Sequence, residues 1–128
     1  PAPGRCWYSL DYSQLQLRIF AFVTEEKSLI KAFEEGWDAH EYIAARIFNL
    51  PDGVKPNKMQ RRIGKAVNFG FIFGAAPEKI ESTAGRPGLW SEVTGMFPNA
   101  HKFMNLTKTQ VRKHGFVYTP GGYKLMCD

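Results

Sequence analysis

Arg61-Arg62-Ile63-Gly64-Lys65-Ala66-Val67-Asn68-Phe69-Gly70-Phe71-Ile72-Phe73-Gly74 reads as one helix, and the rest of this 128-residue chain is understood outward from it. Arg61, Lys65, Phe69 and Phe73 recur every four residues, which places them in a stripe on one side. Two cations stand at the N-terminal end of the stripe and two aromatic rings at the other. Twelve residue steps span roughly 18 Å at the helical rise. That length suits a nucleotide, with triphosphate on the cations and sugar and base against the rings. The opposite face, with Met59, Ile63, Ala66 and Val67, is expected to pack against the body. Gly64 and Gly70 each cost about 1 kcal/mol relative to alanine in a helix interior, which argues that some group must approach this helix closely.

Composition sets the class. Hydrophobic residues make up 44% and charged residues 23%, which excludes a disordered chain. No apolar stretch is long enough to cross a bilayer. Pro1-Ala2-Pro3-Gly4 carries no secretory signal and reads as a chain entered midway. Cys6 and Cys127 lack metal-type spacing and read as a reduced, intracellular pair.

The net charge of +5 is unevenly placed. Residues 11–48 hold four cations against seven carboxylates. Residues 49–74 hold Lys55, Lys58, Arg61, Arg62 and Lys65 against Asp52 alone. The last 54 residues hold seven cations and four carboxylates. A polyanionic partner fits this distribution; the charge alone slightly favours an ordinary solvated basic face.

The periodicities predict a short buried strand over Arg5–Leu10, with Asp11 at its C-terminal end. Gln14–Val23 fits both a strand alternation and a helical face; its length favours a helix capped by Ser13. A helix over Glu26–Glu35 ends at Gly36. Asp38 and Glu41 form a capping-box-like pair ahead of a helix to about Phe48. The central helix starts near Asn57. Further helices are predicted over Ala75–Thr83, Leu89–Met96 and from Asn99, read as a cap, to Gly115. Phe116–Thr119 and Tyr123–Met126 read as a hairpin around Pro120-Gly121-Gly122.

A carboxylate at a strand end is usually a cap or turn residue, but it is also where open sheets place chemistry, and Mg²⁺ takes such oxygen ligands. Asp11-Tyr12-Ser13-Gln14-Leu15-Gln16-Leu17-Arg18 resembles motif A of the family A DNA polymerases, the bacterial DNA polymerase I type. Arg61-x-x-x-Lys65-x-x-x-Phe69-Gly70-x-x-Phe73-Gly74 resembles motif B on their fingers helix, about fifty residues later. Asp38-Ala39-His40 matches between them.

The resemblance implies a mostly helical α+β piece of a larger right-hand polymerase fold. A palm strand and motif A would occupy about 1–24, the fingers about 25–114 and a return hairpin toward the palm about 115–128. It implies nucleotidyl transfer from a dNTP to a primer 3′-hydroxyl by two metals. Asp11, with the Tyr12 carbonyl, would ligate both Mg²⁺ ions. Arg61 and Lys65 would hold the triphosphate with His40 assisting, and Lys65 would protonate the leaving pyrophosphate. Phe69 would pack on the sugar, with Ser13 and Gln14 also at the dNTP. Gln16 would stand at the gate against ribonucleotides, and Phe73 and Gly74 where the templating base enters.

Three departures accompany the resemblance. The family usually has Glu and Tyr, bonded to each other, at the positions of Gln16 and Phe73, so the two changes are expected to compensate. Thr119-Pro120-Gly121-Gly122-Tyr123 lacks the family's frequent arginine cluster. Motif C, with the second metal-binding Asp, is not found, so the chain is expected to be inactive alone. Its partners would be primer–template DNA, dNTP and the remainder of a polymerase chain, without a membrane. A bacterial or phage-infected cytoplasm fits, and so does an organelle. A non-catalytic nucleic-acid-binding module and a single-subunit RNA polymerase are the competing readings. Intact Asp11 and Lys65 speak against the first, and bulky Gln16 against the second.

Overall fold

A computed structural model describes residues 3–127; Pro1, Ala2 and Asp128 lie outside it. Seven helices are followed by one hairpin: α1 (Leu15–Val23), α2 (Lys27–Glu34), α3 (Ala39–Ile47), α4 (Lys58–Ile72), α5 (Pro77–Ala84), α6 (Leu89–Met96), α7 (Pro98–His114), β1 (Phe116–Tyr118) and β2 (Lys124–Met126). The chain is mostly helical, as the sequence predicts. Among the described residues, however, strands stand at one end only.

Residues 5–12 form neither helix nor strand. Trp7, Tyr8 and Leu10 are each at least 85% exposed. The expected strand over Arg5–Leu10 is therefore absent. A strand is held by its ladder partners, and the two strands among the described residues pair only with each other, Phe116 opposite Met126 and Tyr118 opposite Lys124.

The core forms where the apolar faces of the helices meet. Ala21, Leu29, Ile43, Ile47, Val67, Phe71, Ile80, Leu89, Val93, Phe97 and Ala100 make one buried cluster. Phe71 of α4 is its hub, with ring centroids 5.8 Å from Trp90 and 5.9 Å from Phe97. The buried face of α4 is Gly64, Val67, Asn68 and Phe71. Of the face expected to pack, only Val67 is fully buried. Met59 and Ala66 are exposed because the face lies one position round the helix.

The close approach that Gly64 permits is made by a neighbouring helix. A Cβ at position 64 would stand 2.5 Å from the His40 carbonyl oxygen and 2.8 Å from the Ala44 Cβ. The α3–α4 contact, the most extensive in the chain, depends on that missing side chain. Gly70 faces Ile80 of α5.

Two caps differ from the expectation. Ser13 does not cap α1; Gln14 occupies that position in the left-handed region at φ 53°, with no side-chain cap bond. The side chain of Asn99 does not cap α7 either. There the buried Glu26 reaches across the fold, its Oε2 accepting from the backbone N–H groups of Asn99 and Ala100 at 2.9 and 3.1 Å.

Candidate nucleotide-binding face

The face is built on α4, whose start is set by a reciprocal pair. Asn57 Oδ1 accepts from the Gln60 N–H at 2.9 Å, and Gln60 Oε1 accepts from the Asn57 N–H at 2.8 Å. The capping box satisfies two orphan donors and fixes the register of everything after it. With Gly64, Asn68 and Phe71 turned to the core, Arg61, Lys65, Phe69 and Phe73 turn outward. Phe69 and Phe73 stack, centroids 5.8 Å apart and planes within 7°. Lys65 Nζ sits 5.8 Å from the Phe69 centroid. Phe73 is 69% exposed at the helix end, and Gly74 turns the chain away at φ 72°.

The N-terminus of α3 abuts the cationic half. Asp38 Oδ1 accepts from the backbone N–H groups of His40 and Glu41 at 2.9 and 3.0 Å. Its Oδ2 accepts from Arg61 Nη2 at 2.8 Å. Glu41 Oε1 lies 3.6 Å from Arg61 Nε, while its Oε2 lies 3.8 Å from Lys55 Nζ. Asp38 caps the helix as expected, and with Glu41 it also holds Arg61. Burial pushes the Asp38 carboxyl up; the Arg61 hydrogen bond, the Glu41 N–H and the Arg61 charge together outweigh it and hold the group below its ordinary value of 3.8.

His40 is 6% exposed, with its ring 5.3 Å from that of Phe69. Its Nδ1 lies 3.3 Å from Asn68 Nδ2. An amide NH₂ can only donate, so Nδ1 accepts and the ring proton rests on Nε2. Burial holds the ring below its ordinary 6.5; the Arg61 and Lys65 charges act the same way against the opposing pull of Asp38. His40 is therefore neutral at neutral pH, a hydrogen-bond donor and not a third cation.

Asn68 was not among the residues singled out from sequence. Its signal was present: a polar side chain on the otherwise apolar face Gly64, Val67 and Phe71, which a buried amide occupies only with a partner.

Gln14 joins the motif A segment to this assembly, its Oε1 accepting from the Ala39 N–H at 2.8 Å. Its side chain is committed to the start of α3, so it positions that helix. Asp11, Tyr12, Ser13 and Gln16 are all exposed. Ser13 contributes its carbonyl to Arg18 Nε at 3.0 Å. The structure thus gathers Arg61, Lys65, Phe69, Phe73, His40 and Gln14 into one connected assembly; no hydrogen bond or ion pair among the described residues joins Asp11 or Gln16 to it. Gln16 and Phe73 are each exposed, so the expected compensation is not a contact between buried groups here.

Asp11 and the Tyr12 carbonyl offer the oxygen donors a hard cation takes. Among the described residues, though, no three His, Cys, Asp or Glu side chains gather to hold a metal ion. One exposed carboxylate does not fit a pair of Mg²⁺ ions. Among the described residues, no helix is long and apolar enough to cross a membrane.

Comparison with known proteins matches this arrangement to one family. The model of DNA polymerase family A matches residues 1–128. DNA polymerase I of Chloroflexus aurantiacus is 34% identical over 98% of the chain, and that of Rhizobium leguminosarum 34% over 96%. A thermostable DNA polymerase I of Thermus thermophilus is 32% identical over 91%. The chain spans 12–14% of the length of these relatives. Among solved structures, the POL domain of Pol1 from M. smegmatis, in complex with DNA primer–template and dNTP, superposes with a TM-score of 0.75 at 28% identity, over 91% of this chain and 21% of that one. By its matched length and its fold, the chain belongs to DNA polymerase family A.

Proposed function

We propose that this chain carries the nucleotide-binding face of a template-directed DNA polymerase, which transfers a nucleotidyl group from a dNTP to a primer 3′-hydroxyl. The observation that carries the reading is the outward stripe of α4, cations at one end and a stacked aromatic pair at the other. A scaffold helix has no need of a half-buried Phe69 stacked on an exposed Phe73 beside an exposed lysine. In this reading Lys65 meets the triphosphate and donates a proton to the leaving pyrophosphate. Arg61 exchanges its carboxylate partners for phosphate oxygens, which accept its planar fork equally well. His40 donates from Nε2. Phe69 packs against the sugar, Phe73 and Gly74 flank the templating base, and Gln16 excludes the ribose hydroxyl.

The proposed division is palm and motif A over about 1–24, fingers over about 25–114 and a return hairpin over about 115–128. Asp11 and Tyr12 contribute donors for Mg²⁺, which would supply charge neutralisation at the reacting phosphate. The remaining donors come from residues outside this chain. These 128 residues alone are inactive in the proposal.

The test is primer extension by the full-length polymerase and its Lys65→Ala variant. Loss of a general acid lowers kcat by about 10²–10⁴-fold, with primer–template affinity unchanged. Equal extension by both proteins overturns the reading. A parallel loss of DNA affinity would favour a binding module instead.

A further inference from the structure

A second basic surface lies on α7, away from the stripe of α4. The 17 residues Pro98–His114 contain Lys102, Lys108, Arg112 and Lys113 and no Asp or Glu. At about 100° per residue, all four cations, together with His101, Asn105 and Thr109, fall in a sector of about 140°. Ala100 and Met104 face the core from the other side. The four cations are exposed, and among the described residues none pairs with a carboxylate. Glu92 on α6 is engaged by Arg86 at 2.6 and 2.9 Å.

Compensation of the helix dipole accounts for Arg112, Lys113 and His114 in the last turn. It does not account for Lys102 near the positive end, nor for the confinement of all four charges to one sector. Beside that sector runs a groove of about 550 Å³ between α6 and α7, lined by Ser91, Thr94, Gly95, His101, Asn105 and Thr109 among others. Gly95 opens its wall: a Cβ there would meet nothing within 4 Å. Pro98 and Leu106 give the groove an apolar wall beside its hydroxyl, amide and imidazole groups, and such a groove flanked by unpaired cations matches a sugar–phosphate chain with its bases unpaired.

We propose that the basic sector of α7 and the α6–α7 groove bind a single strand of DNA, phosphates on Lys102, Lys108, Arg112 and Lys113 and sugars or bases against Ser91, Thr94, His101 and Asn105. About 25 Å of helix offers room for several nucleotides. An acidic protein segment would be drawn by the same charges, and the acidic-peptide arm of the experiment below separates it from a single strand. The proposal does not depend on the roles given to Lys65 or Arg61.

The experiment uses the full-length polymerase and a fluorescent oligothymidylate of about twenty nucleotides. Its dissociation constant is measured across a salt series for wild type, for Lys102→Ala/Arg112→Ala/Lys113→Ala and for Gly95→Leu. Each phosphate contact contributes about 0.7 to the salt slope of single-strand binding. The triple variant is expected to weaken binding at least tenfold and to lower the slope by about two. Gly95→Leu, which fills open space in a helix, is expected to weaken binding at least threefold with the slope unchanged. A blunt primer–template should bind all three proteins alike. Unchanged affinity and slope in the triple variant overturn the proposal. So does insensitivity to Gly95→Leu combined with an equal loss for an acidic peptide of matched charge.

Discussion

Arg61 Nη2 donates to Asp38 Oδ2 at 2.8 Å, while the other oxygen of the same carboxylate caps α3 through the N–H groups of His40 and Glu41. One side chain thereby sets both the start of α3 and the resting place of a cation on α4. The cap and the ion pair separate by substitution. Asp38→Ala removes both and should cost about 1–2 kcal/mol, the upper part of the range for a lost cap. Asp38→Asn keeps an acceptor for the backbone and should cost less than half as much, because Arg61 is partly solvated.

The pH dependence has a definite sign. The Asp38 carboxyl is held below 3.8 in the folded chain. Its stabilisation is therefore complete above that value and is lost as pH falls through the lower folded value. Urea unfolding of wild type and Asp38→Asn should converge as the solution is acidified below 3.8. Parallel curves would show that the Arg61 pair contributes nothing.

His40 titrates in the same direction for a different reason. Burial disfavours its charged form, so the folded chain binds its proton less readily than the unfolded chain does. Stability is lost as pH falls below 6.5 through the folded value. The donor Asn68 Nδ2 favours the neutral ring by bonding to Nδ1. Followed by NMR, the ring should titrate below 6.5 in wild type, higher in Asn68→Ala and highest in Asn68→Asp, where a carboxylate would accept from a protonated Nδ1. An unchanged midpoint in Asn68→Asp would remove Asn68 from this role.

Local signals made α4 legible. The start near Asn57 and the four-residue stripe of its exposed face both lie within one stretch of chain. The partners of that stripe were less legible, because they lie on α3: Asp38 and Glu41 read as caps, and their hold on Arg61 follows only from how the helices cross. The strand expected at Arg5–Leu10 failed for a related reason. An apolar run states a preference, but a ladder needs a second chain segment, and none is paired with it among the described residues.

The start of α7 shows the same limit and yields a measurement. Asn99 is the residue a local rule would choose, yet its side-chain Nδ2 donates to the Glu25 carbonyl at 2.9 Å. The cap is Glu26, 3% exposed, with Oε1 accepting from Ser28 Oγ at 2.9 Å and Oε2 from two N–H groups of α7. Glu26→Ala would strand those donors in a buried place, at about 1–3 kcal/mol. Asn99→Ala should cost less, below about 1 kcal/mol for a single neutral hydrogen bond. Denaturant midpoints for the two variants should differ in that order; the reverse order would restore Asn99 as the cap.

The two glycines of α4 give a sharper contrast, because the same substitution meets different neighbours. Replacing either by alanine gains about 1 kcal/mol of helix propensity. At position 64 the new methyl would meet the His40 carbonyl oxygen at 2.5 Å, a backbone atom that yields only if α3 moves. Overpacking of about 1–3 kcal/mol, at its upper end here, outweighs the propensity gain, so Gly64→Ala should lose about 1–2 kcal/mol. It should also disturb His40, whose ring beside Phe69 would shift with α3. At position 70 the nearest atom is Ile80 Cγ1 at 3.2 Å, part of a side chain that can rotate. Gly70→Ala should be neutral or more stable by less than about 1 kcal/mol. Thermal unfolding of the two variants against wild type decides the matter. Equal loss at both sites would mean that α5 holds α4 as closely as α3 does.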